Sequence, residues 1–464
     1  MGSKMRWLDT AADLGSSLRQ AQEEGRVAHD WIALSDEVAD IAGMSEADPQ
    51  RDTLALAMTD HLESLPISSV REQQEPSTWQ AIVAARPVTE IDTAELIARA
   101  RHLDPSALHA RIHGAWIGRC AGCLLGQPIE GWRQERILGL LQATDNYPIR
   151  SYISSDIGEA LRTQYGVVDH GAVYGSNRKN WINNVTHAPE DDDTNYTVLA
   201  LKLFEGSGAG FASNDMAQCW LMNMPLLHAC TAERVAYVNL ANGLLPPDSA
   251  SRRNPFREWI GAQIRGDFFG YVNPGDVHAA AGAAFKDAVI SHTKNGIYGE
   301  LYVAAMNAAA AVESDPELIV AAGLSQIPAD SRLSMRIGET LAAWRRGAKA
   351  KDLNDAVQRQ YREADPFDWC HVIPNAIIVT ASLLGGSTDF TRSIGLAVEA
   401  GFDTDCNAAT VGSIIGMSLG IDAIPTHWKT PLADRLKSGI DGYDLPRISD
   451  LATKTTSFAN RVRV

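Results

Sequence analysis

The sequence predicts an all-α protein: a compact body of many helices, with acidic loops at helix ends and a helical extension ahead of it. Three observations carry this expectation. Alanine-rich tracts such as residues 303–312 favour helix over strand. Glycine recurs every fourth residue in two distant stretches, a spacing that lines one side of a helix. Strand signals are scarce, with residues 147–153 the best of them.

Residues 1–110 come first along the chain. They are polar and helix-prone, over 11–27 and 93–102 for example, and are broken by Glu72-Gln73-Gln74-Glu75-Pro76. They carry no chemical motif, and read as an added helical subdomain packed on the body or as an oligomer contact. Helical patterning resumes at 107–127, 194–205, 213–229, 276–291, 300–312 and 333–347, then at 374–384, 390–400 and 406–420. No short-period repeat occurs, which argues against a solenoid.

The first glycine stripe is Gly114, Gly118, Gly122 and Gly126, followed by Pro128-Ile129-Glu130; the second is Gly412, Gly416 and Gly420. An interior helical glycine costs about 1 kcal/mol relative to alanine. A repeated one therefore points to a line where another backbone comes close. Two such helices, crossing tightly, would carry Glu130 towards the second stripe. A membrane role for these stripes is not expected, because Arg111 and Arg119 interrupt or flank the first. No apolar run reaches the roughly 18 residues needed to span a bilayer.

Two acidic clusters accompany the stripes: Glu190-Asp191-Asp192-Asp193-Thr194, and Gly401-Phe402-Asp403-Thr404-Asp405-Cys406-Asn407. Neighbouring carboxylates repel by roughly 4 kcal/mol per close pair, at an effective dielectric of about 20 and a spacing of about 4 Å. A solvated surface tolerates that, and so does a site where a cation removes it. Oxygen donors of this kind suit Mg²⁺, Mn²⁺ or Ca²⁺ rather than zinc. The plainer reading of the first cluster is a helix N-cap with acids at the positive end of the dipole. The second cluster shifts the balance towards a metal.

Composition agrees with a large core, at 464 residues, 45% hydrophobic and 21% charged. A net charge of -16 argues against a nonspecific hold on nucleic acid, which needs clustered Lys and Arg. The first residues show no charged-then-apolar signal pattern, so a cytoplasmic location is the expectation. Six cysteines in so long a chain make no disulfide framework. Cys120 and Cys123 form one C-x-x-C inside a glycine-striped helix; without a partner pair they read as small core residues. No nucleophile elbow, P-loop or dinucleotide fingerprint is present.

The order Gly118-x-x-x-Gly122-x-x-x-Gly126-x-Pro128-x-Glu130, then Glu190 to Thr194, then Gly401-x-Asp403-x-Asp405 resembles the ADP-ribosylglycohydrolases. That family includes the dinitrogenase-reductase-activating glycohydrolase. The resemblance implies a catalytic domain over residues 111–440, between the 1–110 extension and a 441–464 tail. It implies cleavage of a ribosyl bond in an ADP-ribosylated protein or small molecule with the help of two Mg²⁺ ions, Mn²⁺ being the alternative. Asp191, Asp192, Asp193, Asp403, Asp405 and Cys406 fall at the family's metal-ligand positions. Glu130, Asp192 and Asp405 fall at its catalytic ones, Glu130 touching the metal-bound water or the substrate.

The same resemblance puts Gly270, Tyr271, Asn273 and Gly275 at a phosphate-side loop and His292 at the end of a central helix. Gly270, Asn273 and Gly275 would offer backbone amides to a diphosphate, or form an ordinary loop. His292 would contact ligand or cap its helix. Tyr271 and Tyr298 would stack on adenine or belong to the core.

Two departures stand out. Asp191 replaces the usual Thr or Ser, and Cys406 replaces the usual Thr that donates an oxygen to a metal. Sulfur is a poor Mg²⁺ ligand, so Cys406 either faces the metal or packs inward. Two other functions stay open: an N-glycosidase of the same fold acting on a nucleoside or nucleotide, and a catalytically silent ADP-ribose binder. The oligomeric state is not legible.

Overall fold

The computed structural model describes residues 5–89, 91–173 and 176–462. Among the described residues, twenty-five α-helices, seven short 3-10 helices and one two-stranded antiparallel hairpin, His170–Val173 with Ser176–Arg178, make up the regular structure. The all-α expectation holds. Residues 147–153 are not a strand. Pro148 has no amide to donate, and the neighbouring amides go to side chains instead of a partner strand. Ile149 N donates to Glu399 Oε1 at 2.8 Å, and Arg150 N to Asn146 Oδ1 at 3.0 Å.

The two glycine stripes meet along one line. Helices Pro105–Gly126 and Thr404–Leu419 lie antiparallel in contact, almost wholly buried. A Cβ on Gly114 would sit 2.3 Å from Gly416 O; on Gly118, 2.0 Å from Gly412 O; and on Gly122, 1.9 Å from Ala408 O. Only glycine allows backbones this close. The antiparallel register brings the C-terminal end of the first helix to the N-terminal end of the second. At that junction Thr404 Oγ1 donates to Gly126 O (3.0 Å), satisfying a carbonyl the helix end leaves open. The body around this pair is one continuous apolar core, with Lys294–Ala310 and Val372–Gly386 among its most buried helices.

The N-terminal extension has a small core of its own. Helices Leu14–Glu23, Trp31–Gly43 and Arg51–Ser64 enclose Leu14, Ala21, Val38, Ile41, Ala55, Met58 and Leu62. Ion pairs and buried hydrogen bonds dock it on the body: Arg257–Glu24 (2.7 Å), Arg253–Asp60 (2.7 Å), Arg332–Glu75 (2.9 Å) and Gln20 Nε2 to Glu258 Oε1 (2.8 Å). The stretch expected as a C-terminal tail carries the helix Ile448–Val462, which packs along Pro105–Gly126 and fixes Trp116 through Thr455 Oγ1 (3.1 Å). Among the described residues no helix is long and apolar enough to cross a membrane.

Candidate metal centre and active site

Both acidic motifs sit at helix N-termini, where the dipole favours negative charge. Asp191 is the N-cap of Asp192–Ser207, its Oδ1 accepting from Asp193 N at 3.0 Å. Asp403 holds the N-cap position of Thr404–Leu419 without a side-chain cap bond, so its carboxylate is left to face elsewhere. The plain N-cap reading of the first cluster is therefore correct for Asp191, and it coexists with a site.

The loop before Asp403 is shaped by two successive left-handed residues, Gly401 (φ 78°) and Phe402 (φ 56°). A Cβ at Gly401 would meet Glu363 Oε1 at 2.0 Å. Glu363 itself accepts from Phe402 N (2.8 Å) and from Gln134 N (3.1 and 3.0 Å). One carboxylate thus ties the second motif to the segment just after Glu130. Asn375 supports the same loop, its Oδ1 accepting from Asn407 Nδ2 at 2.8 Å.

The helix crossing delivers the convergence that the stripes predict. Carboxylate oxygens of Glu130, Asp403 and Asp405 lie within 4.8 Å of one another, as do the ligand atoms of Asp193, Asp405 and Cys406. A third group joins Asp191 and Asp193 to the Cys123 thiol, which sequence reasoning had placed only in the core. Asp191, Asp193, Asp403 and Asp405 are buried, whereas Asp192 is half-buried on the same cleft wall. Gln127 Nε2 donates to Asp191 Oδ2 (2.7 Å). Glu190 turns away, accepting from His228 Nδ1 (2.6 Å) and Asn195 Nδ2 (3.0 Å).

Beneath the cluster lies Arg119, 1% exposed, one residue along from Gly118. It donates to Asp267 Oδ2 (2.8 Å), to the Asp193 carbonyl (2.9 and 2.8 Å) and to Asp193 Oδ1 (3.3 Å). These carboxylates hold it charged. One buried cation does not balance the acids above it. Burial, with Asp192, Asp193 and Glu130 nearby, pushes Asp191 well above the usual carboxylate range. Burial raises Asp193 likewise, against the pull of Arg119. Asp405 is raised by burial and by Glu130 and Asp403, and burial lifts Asp403 to about 6. Glu130 opens to the cleft but is walled by protein on its other sides; that enclosure, then Asp403 and Asp192, push it up to about 8. Water in the cleft moderates this push without changing its direction.

The donor set fits a hard divalent cation. Asp193 Oδ2 and Asp405 Oδ1 are fully buried, accept no hydrogen bond and belong to groups whose ligand atoms already converge. An unpaired buried carboxylate oxygen is costly, and a cation removes both that cost and the repulsion. Cys123 and Cys406 are weaker donors, since burial holds both thiols protonated. Cys406 faces the acids rather than packing away from them.

A cleft of about 430 Å³ opens above the cluster. Besides the acids, its walls include Arg6, Trp7, Thr231, Glu233, Glu363 and Trp369, none of which carries a sequence signal. Glu233 is pushed up to about 7 by burial, against the attraction of Arg265.

The six expected substrate contacts are not among the cleft's walls. Gly270 is pressed on the helix Lys294–Ala310, where a Cβ would meet Asn307 Cβ at 2.4 Å. Tyr271 is fully buried and bonds Ser413 Oγ (2.5 Å). Asn273 Nδ2 donates to Phe269 O (2.9 Å). Gly275, at φ 76°, spends its amide on Ala308 O (2.8 Å). His292 is 1% exposed beside Ser291 Oγ (2.8 Å), and Tyr298 donates to Pro76 O in the core. The polar atoms named for Tyr271, Asn273, Gly275 and Tyr298 are spent on partners within the fold, and His292 Nε2 is buried without one.

Comparison with known proteins gives three results. A sequence model of the family described as ADP-ribosylglycohydrolase matches residues 104–458. No curated protein matches the chain. A solved structure of an ADP-ribosylglycohydrolase-related protein complex aligns at 16% identity and a TM-score of 0.42, covering 77% of this chain and 100% of that one.

Proposed function

This chain belongs to the ADP-ribosylglycohydrolase family, and from that premise we propose that it is a metal-dependent hydrolase cleaving the ribosyl bond of an ADP-ribosylated protein or small molecule. The observation that carries the reading is the meeting of Glu130, Asp403 and Asp405 with Asp193 at one cleft, where two buried carboxylate oxygens have no partner.

Asp191, Asp193, Asp403 and Asp405, with Cys406 as a weak neighbour, are the residues that would hold divalent ions, Mg²⁺ or Mn²⁺. When bound, such ions supply positive charge against the acids and Lewis acidity towards water and ribose oxygens. The chain's own residues do the rest. In the reaction, a water oxygen bonds to the ribose anomeric carbon as the bond to the leaving nitrogen or oxygen breaks, through an oxocarbenium-like state. Glu130 accepts the proton of that water on a carboxylate oxygen, and the departing nitrogen or oxygen takes up a proton from solvent; Glu130 is the acid of the cluster most open to the cleft. Asp192, half-buried on the wall, accepts from a ribose hydroxyl and orients the sugar. Negative carboxylates around the site favour the positive charge that develops on the ribose.

The test is a substrate panel with and without Mg²⁺: ADP-ribosyl-arginine, ADP-ribosyl-serine and free nucleosides. Release of ADP-ribose only when metal is present supports the proposal. Cleavage of nucleosides alone would make the chain a nucleosidase of the same fold. Binding of ADP-ribose without any turnover would make it a silent binder.

A further inference from the structure

The N-terminal strap lies outside the family-matched residues 104–458, yet it reaches the cleft, where Arg6 and Trp7 are part of the wall. Seven carboxylic acids line this cleft, and among its described lining residues Arg6 is the one cation. An anionic ligand entering it meets repulsion everywhere except near the metal positions and near Arg6. The strap is also held in place rather than draped. Arg234, buried, donates through Nη1 to Arg6 O (3.1 Å) and through Nε to Ala229 O (2.8 Å). Its guanidinium carbon stands 4.7 Å from the centre of the Trp7 ring, and that of Arg6 stands 4.3 Å from it. Leu8 N closes a turn on Met5 O (3.1 Å), and Arg51 pairs with Asp9 (3.4 Å).

Trp7 has φ 63°. A bulky aromatic rarely occupies the left-handed region, which persists only where the surroundings enforce it. Arg6, the residue before this left-handed turn, lines the cleft and is exposed.

We propose that the N-terminal strap completes the substrate site, with Arg6 as a specificity residue that grips a phosphate of a ribosyl nucleoside diphosphate. Trp7, clamped by Arg234, is the positioning residue that sets the Arg6 backbone. The guanidinium is suited to this ligand because its planar donors match phosphate oxygens. The proposal rests on the glycohydrolase reading of the same cleft.

Calorimetry on the full chain with Mg²⁺ tests it, with ADP-ribose as the phosphate-bearing probe and ribose as the probe without phosphate. Arg6→Ala is expected to weaken ADP-ribose binding by about tenfold to a hundredfold, the range of a charged hydrogen bond, and to leave ribose binding alone. Arg6→Lys should recover part of the loss, which a role in folding would not predict. Trp7→Ala should lower ADP-ribose affinity in the same direction with Arg6 intact. If the wild type binds ADP-ribose and Arg6→Ala binds it equally well, the strap has no role in recognition, and the glycohydrolase reading stands. If the wild type neither binds nor cleaves any ADP-ribosyl compound, the reading itself fails and this inference falls with it.

Discussion

Gly122→Ala is the sharpest test of how the fold builds the site. The added Cβ would lie 1.9 Å from Ala408 O and 2.4 Å from Ala408 C, both backbone atoms. Ordinary contact begins near 3.4 Å, so the two helices must part by about 1.5 Å or bend around the methyl group. Overpacking of this kind costs about 1–3 kcal/mol, and the better helix propensity of alanine returns about 1 kcal/mol. A net loss of up to about 2 kcal/mol is expected, a few degrees in melting temperature for a chain of this size. The functional loss should be larger. Asp405 sits one turn before Ala408, and Glu130 lies just past the end of the Gly122 helix. Parting the helices therefore separates the carboxylates that now meet within 4.8 Å. A misplacement of about 1 Å can cost about a hundredfold in rate. Gly338→Ala is the control, since Gly338 lies in the helix Arg332–Arg345 with nothing within 4 Å of its Cβ position. It should be neutral or stabilising by up to about 1 kcal/mol. Melting curves, Mg²⁺ titration and turnover are measured on both variants. A Gly122→Ala protein with wild-type metal affinity and rate refutes the idea that the glycine crossing sets the geometry of the site.

Further outcomes follow from the acids. Chelation should abolish turnover and lower the melting temperature; full activity in excess EDTA with no metal by elemental analysis defeats the metal reading. The metal effect should grow with pH. Asp403 (about 6) and Glu130 (about 8) stand above their unfolded values, so their share of metal-free stability is intact below about pH 4 and is lost as pH rises through 6 to 8. The melting-temperature gain on adding Mg²⁺ should thus be larger at pH 8 than at pH 5, and a gain independent of pH contradicts this. Asp405→Asn should lose metal binding and nearly all turnover while raising the metal-free melting temperature, because an amide escapes the cost that burial and the neighbouring acids impose on this carboxyl; a lower metal-free value counts against that argument. Glu130→Gln should keep the metal and lose turnover, and an unchanged rate would remove Glu130 from the chemistry. Cys406→Thr places a hydroxyl among Asp193 and Asp405 and should tighten Mg²⁺ binding; a fall in stability without that gain means position 406 gives no ligand to the metal.

The parts of this molecule that were legible in the sequence share one property: their signal is a spacing that the backbone itself imposes. Glycine at every fourth residue is a line on a helix, and two such lines in one chain can bury each other, as Gly118 and Gly412 do. The helix at residues 93–102 was readable in full because its ends are marked, with Asp92 as the cap and Arg99, Arg101 and His102 in its last turn. Acids at positions 191–193, 403 and 405 were readable because such clusters need an explanation wherever they fold. In contrast, the loop around Asn273 and Gly275 looks like a phosphate cradle in sequence. A glycine at φ 76° serves a tight turn against Leu96 equally well, and only the partner of each amide separates the two.

What stayed hidden is the half of the site whose residues are ordinary by type. Glu363, Glu233 and Arg6 lie in no motif, and each matters through an approach across the fold that no local pattern encodes. Glu363 reaches the site because Gly401 leaves room for its oxygen, so the glycine was visible while its purpose was not. Arg6 is one of 41 Lys and Arg residues and becomes distinctive only when the described lining of the cleft proves to hold seven acids and a single cation. The acids had announced a need for positive charge, which sequence reasoning assigned wholly to metal. The fold answers part of that need with Arg119 from beneath and Arg6 from the strap above, and the unpaired oxygens of Asp193 and Asp405 are where ions would supply the rest. Buried Arg119 and any bound metal stabilise the empty site, whereas exposed Arg6 adds little to its stability, because a charge in contact with water is screened. Its charge is therefore free to be spent on a ligand. An exposed side chain that adds little to stability is for that reason one on which a test of recognition reads cleanly.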